Sequence, residues 1–237
     1  MAIDQALLDD VEHRGGATAY LRLYRWDPPC LSFGRNEPAL TRYDRTVIDD
    51  LRLDVVRRPT GGRAVWHDNE LTYAVAAPVA AFGCLRDSYL AIHRRWVAAL
   101  RQLGAAAELA PRPAESAPLA AGACFAQPVG GEVVIAGRKV VGSAQVRQGT
   151  AFLQHGSILL DGSQDMVRRV SRKPGAPIAA TTLSTALGRA VCFDEVARAI
   201  SETWKAPGEA THLDGLSTAL PPYRLAAFHD LAWTWRR

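Results

Sequence analysis

Residues 57–73 read RRPTGGRAVWHDNELTY, and this stretch is the strongest local indication of the fold. Two arginines and a proline lead to Gly61 and Gly62, and apolar runs lie on both sides of His67. Because glycine has no Cβ, the backbone amides of the pair can lie directly against a ligand or take a positive φ. A glycine turn between two strands can therefore form a ligand cradle. A Gly-Gly pair between strands nevertheless more often marks a plain hairpin.

A second stretch, residues 137–161, reads GRKVVGSAQVRQGTAFLQHGSILLD. His155, Gly156 and Ser157 interrupt an otherwise apolar strand in it, and polar residues in such a strand need partners. We therefore favour a place for His155 in the lining of a site over the role of a satisfied core histidine. The same interpretation is applied to His67.

Together, the two stretches resemble the superfamily of lipoate–protein ligases, biotin–protein ligases and octanoyltransferases. In that superfamily an Arg-Arg-x-x-Gly-Gly segment, a Gly-[Arg/Lys]-Lys-x-x-Gly-Ser-Ala block and a His-Gly-[Ser/Thr] block form one acyl site. All three occur here in that order, and the resemblance runs from about Met1 to about Leu160. It implies an α/β (α+β) fold, in which a mixed, mostly antiparallel sheet has helices packed on one side and forms a narrow acyl tunnel.

Two segments near the start of the chain add to the resemblance. MAIDQALL, residues 1–8, is similar to the family's Asn-Met-Ala-x-Asp-Glu-Ala-Leu helix. GRNEP, residues 34–38, is similar to the end of the Ser-x-Gly-[Arg/Tyr]-x-Gln segment at the mouth of the tunnel. In that family a β-strand precedes the helix. No such strand precedes it here, which indicates either a start codon assigned late or a member that dispenses with the strand.

Length and composition place few limits on function. The 237 residues are enough for one catalytic domain, with the site in about 1–160 and a helical C-terminal part in about 161–237. The apolar content of 48% is ordinary for a globular protein. A net charge of +4 does not by itself imply nucleic acid, although a slightly basic face would suit an acidic carrier protein.

The cysteines indicate free thiols. They lie at positions 30, 84, 124 and 192, and no two have the CxxC spacing of a zinc knuckle or a redox dithiol. We therefore expect no metal site. The sequence shows neither a signal peptide nor an apolar run long enough to span a membrane, so a reducing cytoplasm is the expected location.

Apolar periodicity predicts the remaining elements. Strands are expected over residues 19–26, 30–34, 54–57, 132–135, 140–145 and 152–160. Helices are expected over residues 1–14, 44–52, 85–103, 164–170, 193–205 and 223–235. Residues 105–121, rich in alanine and proline, are expected to form a loop, and loops beside binding sites often carry chemistry.

Cys124 is the candidate nucleophile. A lone cysteine among small residues is usually a small hydrophobe. However, ACFAQPVGGEVVIAGRK, residues 123–139, looks like the Ala-Cys-Phe…Glu-x-x-x-x-Gly-Arg-Lys segment of cysteine-dependent octanoyltransferases and has the same length. The resemblance implies that Cys124 carries the acyl group as a thioester. A neighbouring ammonium lowers the pKa of a thiol, and Lys139 can supply that charge if the loop folds over its strand.

The other candidate site residues are assigned to binding of the acyl substrate. Gly142, Ser143 and Ala144 put small residues against the acyl chain, and their backbone amides are candidates for an oxyanion site, although a tight strand crossing would need the same residues. Arg57 and Arg58 either hold an acidic group or face solvent, and family position favours the first for at least one of them. The full substrate-binding prediction is Arg57, Arg58, Gly61, Gly62, His67, Gly142, Ser143, Ala144, His155 and Gly156.

Three functions compete. The first is transfer of octanoyl from a carrier-protein thioester to a lysine of a lipoyl-accepting domain. The second is ATP-dependent ligation through an adenylate, for which the ligases typically carry Gly-Gly-Gly-Ala-Val. Arg63 stands at the third glycine here, which favours transfer and implies that neither ATP nor magnesium is required. The third is a non-catalytic homologue that binds acyl chains or carriers.

The resemblance also implies the partners. An octanoyl-acyl carrier protein would be the donor, and a lipoyl domain or the H protein of glycine cleavage the acceptor. No nucleic acid or membrane partner is expected, and a monomer is the default.

Overall fold

The computed structural model describes residues 1–15, 18–111, 130–175, 178–204 and 222–236. The helices are α1 (Ala2–Arg14), α2 (Ala39–Arg42), α3 (Arg45–Asp50), α4 (Leu85–Gln102), α5 (Asp165–Arg169), α6 (Leu183–Leu187), α7 (Phe193–Thr203), α8 (Pro222–His229) and α9 (Leu231–Thr234). The strands are β1 (Tyr20–Tyr24), β2 (Cys30–Phe33), β3 (Asp54–Arg57), β4 (Val65–His67), β5 (Glu70–Pro78), β6 (Ala107–Leu109), β7 (Val133–Ile135), β8 (Arg138–Lys139), β9 (Val141–Gln148) and β10 (Ala151–Leu159). Within these residues no helix is both long enough and apolar enough to cross a membrane.

Strand β5 is the centre of the largest sheet because apolar residues occupy most of it. It pairs with β1 on one edge and with β10 on the other, and β9 follows, so that the order is β1-β5-β10-β9. Every pair in this sheet is antiparallel. The register sets His155 opposite Ala144 and Gly156 opposite Ser143, which brings the two blocks of residues 137–161 side by side.

Helices cover both faces of this sheet, not one as the family resemblance led us to expect. Side chains alternate along a strand, so β5 presents a different set of apolar residues to each face. One face packs with α4, through Tyr73 and Val75 against Ile92 and Trp96. The other face packs with α1, through residues that include Ala74, Ala76, Leu7 and Leu8. Because β5 is apolar on both sides, both sides have to be covered from water.

Two smaller sheets complete the described strands. One has the order β3-β2-β4, with β2 and β3 parallel and β2 and β4 antiparallel. Its strands pack on a core of their own, which includes Phe33, Ile48, Trp66 and Trp235. The other sheet has the order β6-β7-β8 and is antiparallel. The mixed, mostly antiparallel fold class is therefore confirmed, with its strands distributed over three sheets.

Most predicted elements are present with their ends shifted by a few residues. The long helix predicted at 85–103 is α4, and the strand predicted at 152–160 is β10. The helix predicted at 223–235 is broken at Asp230, whose side chain accepts a hydrogen bond from the backbone N–H of Ala232 and so starts α9 as a new helix. Short elements that were not predicted include α2, β6, β8 and α6.

Candidate functional site

A partly open cavity lies between the large sheet and the β3-β2-β4 sheet. Seven of the residues predicted to bind substrate line it: Arg58, His67, Gly142, Ser143, Ala144, His155 and Gly156. The rest of the lining consists of Met1, Ser32, Val65, Thr72 and Ser157. The structure thus brings together the polar residues of the two sequence stretches, which are about 80 positions apart in the chain.

The wall formed by β9 and β10 depends on glycine. A Cβ at position 156 would overlap the carbonyl oxygen of Gly142 on the paired strand. Glycine at position 156 therefore lets the two strands approach closely, as a tight strand crossing requires. Gly142, Ser143 and Ala144 line the cavity on this side, and the oxyanion role of their backbone amides stays a prediction.

Behind this wall, a chain of hydrogen bonds holds the Ser143 hydroxyl. Ser143 Oγ lies 2.7 Å from His93 Nε2 and 2.6 Å from Tyr73 Oη. His93 Nδ1 lies 2.7 Å from the Gly131 carbonyl oxygen, which can only accept, so Nδ1 carries the hydrogen and Nε2 accepts from Ser143. Gln154 Nε2 donates to Tyr73 Oη over 3.0 Å, which leaves the tyrosine to donate to Ser143.

His93 was not predicted as part of the site. It lies in α4 on the buried stripe that includes Ile92 and Trp96, and a polar residue on an apolar stripe was the signal that could have found it. Burial lowers the pKa of His93 to about 4, against the opposing effect of its bond to the Gly131 carbonyl, and Lys139 lowers it further. The imidazole is therefore neutral near pH 7, and the Ser143 hydrogen points away from the cavity.

The wall formed by β2, β4 and the start of β5 carries a second buried network. His67 Nδ1 lies 2.7 Å from Glu70 Oε1, and His67 Nε2 lies 2.7 Å from Ser32 Oγ. All three side chains are buried, Ser32 completely. Local structure sets this geometry: Asp68 and Asn69 turn the chain from β4 into β5, so that Glu70 faces back towards His67. Ser32 and Glu70 were not predicted as site residues.

Neighbouring residues hold the His67 ring in place. The Trp26 ring stacks on it with centroids 4.5 Å apart and an interplanar angle of 19°. Trp26 Nε1 donates to Thr72 Oγ1 over 2.9 Å, and Thr72 in turn donates to Glu70 Oε1. Ser157 Oγ also donates to Glu70 Oε1, over 2.9 Å. Three donors therefore converge on one carboxylate oxygen.

His155 lies at the back of the cavity. Its Nε2 is hydrogen bonded to Thr60 Oγ1, and its Nδ1 lies 3.8 Å from Asp4 Oδ2, beyond hydrogen-bond distance. Among the described residues, Nδ1 has no hydrogen-bond partner. Burial lowers the pKa of His155 to about 4, although the nearby Asp4 carboxylate acts to raise it. Arg58 lowers it further, so His155 is also neutral near pH 7.

The two predicted arginines have different surroundings. Arg57 is completely buried and donates to backbone carbonyls of Gly34 at 2.6 Å, Trp233 at 2.8 Å and Thr234 at 3.0 Å. It does not line the cavity, and its contacts tie α9 to the β3-β2-β4 sheet. Arg58 lines the cavity, where its Nη1 donates to Ser32 Oγ over 2.9 Å.

Gly61 and Gly62 also lie outside the cavity lining. Arg58 Nη2 donates to the Gly61 carbonyl over 2.9 Å and to the Arg63 carbonyl over 2.6 Å, so the glycine turn is wrapped around the Arg58 guanidinium. Gly62 has φ of 87°, a backbone conformation that favours glycine. The turn therefore positions Arg58, and its direct contact with a ligand stays a prediction.

Lys139 is a buried residue and not a solvated surface charge. Only 1% of its surface is exposed, and its Nζ lies 2.5 Å from Glu132 Oε1. It does not line the cavity as described, although the strand that follows it supplies Gly142, Ser143 and Ala144. Cys124 lies outside the described residues, so its predicted role stays a prediction. No cluster of metal-binding side chains is found in the parts of the chain that the structure describes.

Several known proteins are similar in sequence to this chain. The sequence profile of the family described as "Lipoyl protein ligase A/B catalytic domain" matches residues 1–205. A protein named "Octanoyltransferase LipM" from Moorella thermoacetica is 40% identical over 202 residues, which are 83% of this chain and 73% of that protein. A protein of the same name from Kyrpidia tusciae is 44% identical over 184 residues, which are 73% of this chain and 66% of that protein.

Solved structures share the fold. A lipoate-protein ligase A bound with ATP has a TM-score of 0.76 and 22% identity, over 99% of this chain and 92% of that one. A putative lipoate protein ligase from Thermoplasma acidophilum with bound lipoic acid has a TM-score of 0.74 and 19% identity, over 99% of this chain and 94% of that one. At these identities the similarity establishes the common fold and says nothing of the reaction.

Proposed function

Because this chain belongs to the lipoyl protein ligase A/B catalytic domain family, we propose that it is a cytoplasmic octanoyltransferase. It moves octanoyl from the thioester of an acyl carrier protein to a lysine amine of a lipoyl domain or of the H protein of glycine cleavage. The observation that carries the proposal is 40% and 44% identity, over most of the chain, to two proteins named octanoyltransferase.

The proposed reaction has two steps through Cys124. In the first, the Cys124 thiolate attacks the donor thioester, and octanoyl moves onto its sulfur as the carrier thiol leaves. In the second, the acceptor amine attacks the new thioester and releases the cysteine. Each step exchanges one acyl bond for another, so neither ATP nor a metal ion is needed in this proposal.

The buried pair of Lys139 and Glu132 supports the first step. A lysine that is 1% exposed and 2.5 Å from a carboxylate oxygen holds its ammonium in one position. Both residues follow closely on the segment that contains Cys124. A fixed ammonium next to a thiol lowers the pKa of the thiol and so raises the thiolate fraction near neutral pH.

The proposal predicts that Cys124 is acylated without ATP. The full chain is mixed with an octanoyl thioester of an acyl carrier protein, and intact mass and peptide mapping locate the adduct. We expect one octanoyl group on Cys124, removed by hydroxylamine, and none in Cys124→Ala. Cys84→Ala and Cys192→Ala are the matched controls, because these two cysteines are exposed and free.

Two outcomes contradict the proposal. An adduct that maps to Cys84 or Cys192 would make Cys124 the wrong residue. A strict need for ATP and magnesium, with release of pyrophosphate, would support the ligase reaction instead. Cys30 is buried, and desolvation raises the pKa of its thiol to about 12, so it is not expected to compete.

A further inference from the structure

The reaction proposed above does not use the buried network on the cavity wall formed by β2, β4 and β5. We propose that Ser32, His67 and Glu70 form a proton relay that takes a proton from the attacking lysine amine of the acceptor protein. This inference rests on the proposed function and assigns the base for its second step. It places Ser32 and His67 in the lining of the cavity, with Glu70 behind them.

The hydrogen bonds of the relay have a fixed direction. A carboxylate can only accept, so the 2.7 Å contact between Glu70 Oε1 and His67 Nδ1 puts the imidazole hydrogen on Nδ1. His67 Nε2 is then an acceptor, and the Ser32 hydroxyl, 2.7 Å away, donates to it. A hydroxyl, a base and a carboxylate that orients the base, each within 2.6 to 3.2 Å of the next, is the general geometry that activates a hydroxyl.

Arg58 completes the arrangement. Its Nη1 donates to Ser32 Oγ over 2.9 Å, so negative charge that develops on this oxygen is stabilised by a guanidinium. The Ser32 oxygen can therefore pass its own hydrogen to His67 while it takes a new one from the substrate. Arg58, His67 and His155 are the titratable side chains in the cavity lining.

The position of the Glu70 carboxylate suits it to stabilise a protonated His67. Its Oε1 accepts from His67, Thr72 and Ser157, whereas its Oε2 is buried and has no hydrogen-bond partner among the described residues. A buried carboxylate with an unpartnered oxygen is costly if its role is only structural. The negative charge of Glu70 stabilises the imidazolium that forms when His67 gains a proton.

The acceptor lysine needs such a base. A free lysine amine has a pKa of about 10.4, so it reaches the site as an ammonium and has no lone pair for attack. Burial lowers the pKa values of His93 and His155 to about 4, which makes both weak bases at neutral pH. Lys139, paired with Glu132, holds a positive charge in the proposed first step and is not the base of the second.

In the transfer step, the attacking nitrogen loses two protons and gains one bond to carbon. The acceptor ammonium gives one proton to Ser32 Oγ, while the Ser32 hydrogen moves to His67 Nε2 and makes an imidazolium beside Glu70. The amine nitrogen forms a bond to the thioester carbon, and the bond from that carbon to the Cys124 sulfur breaks. The second proton of the attacking nitrogen goes to this sulfur, which leaves an amide and a free thiol. His67 afterwards returns its proton to water.

The test separates the two steps. Acylated enzyme is prepared from an octanoyl thioester of a carrier protein, isolated, and mixed with a lipoyl domain in single-turnover experiments from pH 6 to pH 9. We expect Ser32→Ala to form the acyl-enzyme and then to transfer octanoyl about a hundredfold more slowly than wild type at pH 7. The deficit should shrink as the pH rises, because hydroxide then deprotonates the acceptor amine in solution.

Two further variants control for packing. Glu70→Gln keeps the size of the side chain and should slow the same step, because the amide cannot stabilise an imidazolium. Ser88→Ala removes another fully buried serine, which lies in α4 and bonds to the Leu85 carbonyl and to Gln145 of β9. This variant should transfer at the wild-type rate.

The outcomes distinguish this inference from the proposed function. If wild type forms no acyl-enzyme on Cys124, the proposed function fails and the relay fails with it. If wild type is acylated but Ser32→Ala transfers at the wild-type rate, the relay alone is wrong. A deficit equal in both steps, or equal at every pH, would give Ser32 a structural role and would also overturn the relay.

Discussion

Gly34 and Gly62 meet where β2 ends, and a Cβ at position 34 would overlap the carbonyl oxygen of Gly62. Gly34→Ala should therefore push the glycine turn away from β2 and disturb Arg58, which the turn surrounds. We expect a loss of roughly 1–3 kcal/mol in the free energy of unfolding, as for overpacking elsewhere. Urea denaturation followed by circular dichroism measures this loss.

Gly61 is the matched control for this prediction. No atom lies within 4 Å of a Cβ built at position 61, and its φ is not in the left-handed region. Gly61→Ala should change the free energy of unfolding by less than about 0.5 kcal/mol. Equal losses in the two variants would show that the close approach of Gly34 and Gly62 does not limit stability.

The Arg57 side chain joins α9 to the β3-β2-β4 sheet. Its guanidinium donates to carbonyls at the end of β2 and in α9, and α9 is followed by Trp235 in the core of that sheet. Arg57→Lys keeps the charge but cannot make the same set of bonds. We expect the free energy of unfolding to fall by roughly 2–3 kcal/mol. Hydrogen bonds from a charged group are removed, and the backbone carbonyls that accepted them stay buried. Thermal unfolding and limited proteolysis measure this loss.

Arg45→Lys is the control for this substitution. Arg45 is half-exposed in α3, where it pairs with Asp49 at 3.7 Å and lies over the Trp235 ring. Exposed ion pairs contribute little to stability, so Arg45→Lys should change the free energy of unfolding by less than about 1 kcal/mol. Unchanged stability and unchanged proteolysis in Arg57→Lys would mean that packing alone holds α9 in place.

For the whole molecule, two buried neutral histidines predict how stability depends on pH. Burial lowers the pKa values of His93 and His155 to about 4, whereas an unfolded histidine titrates near 6.5. Between these values the unfolded chain binds more protons than the native chain. Stability should therefore be full above about pH 6.5, fall as the pH drops towards about 4, and lose nothing further from these residues below that.

The expected loss between pH 7 and pH 5 is roughly 2 kcal/mol for each histidine. Urea denaturation at the two pH values measures it in wild type and in His93→Gln. The variant should be less stable at pH 7 but should lose less on acidification, because one of the two groups is gone. The same loss on acidification in both proteins would contradict the neutral, buried state of His93.

Much of this architecture can be predicted from the amino-acid sequence. Local patterns identify α4, whose apolar residues recur with a helical period, and β10, which is apolar apart from the polar residues of the site. The order of three short blocks led to the family, and the same blocks supplied seven of the residues that line the cavity. Short elements such as β6 and α6 were missed because three to five residues carry too little periodicity.

The partners of individual side chains depended on the three-dimensional fold. Arg57 and Arg58 are adjacent in sequence, yet successive residues of an extended chain point to opposite sides, so one binds α9 and the other the cavity. Ser32 meets His67 across two strands, and His93 meets Ser143 from a helix 50 positions earlier. A sequence pattern indicates which face is buried but not which distant group lies opposite, because that depends on how the sheets and helices pack.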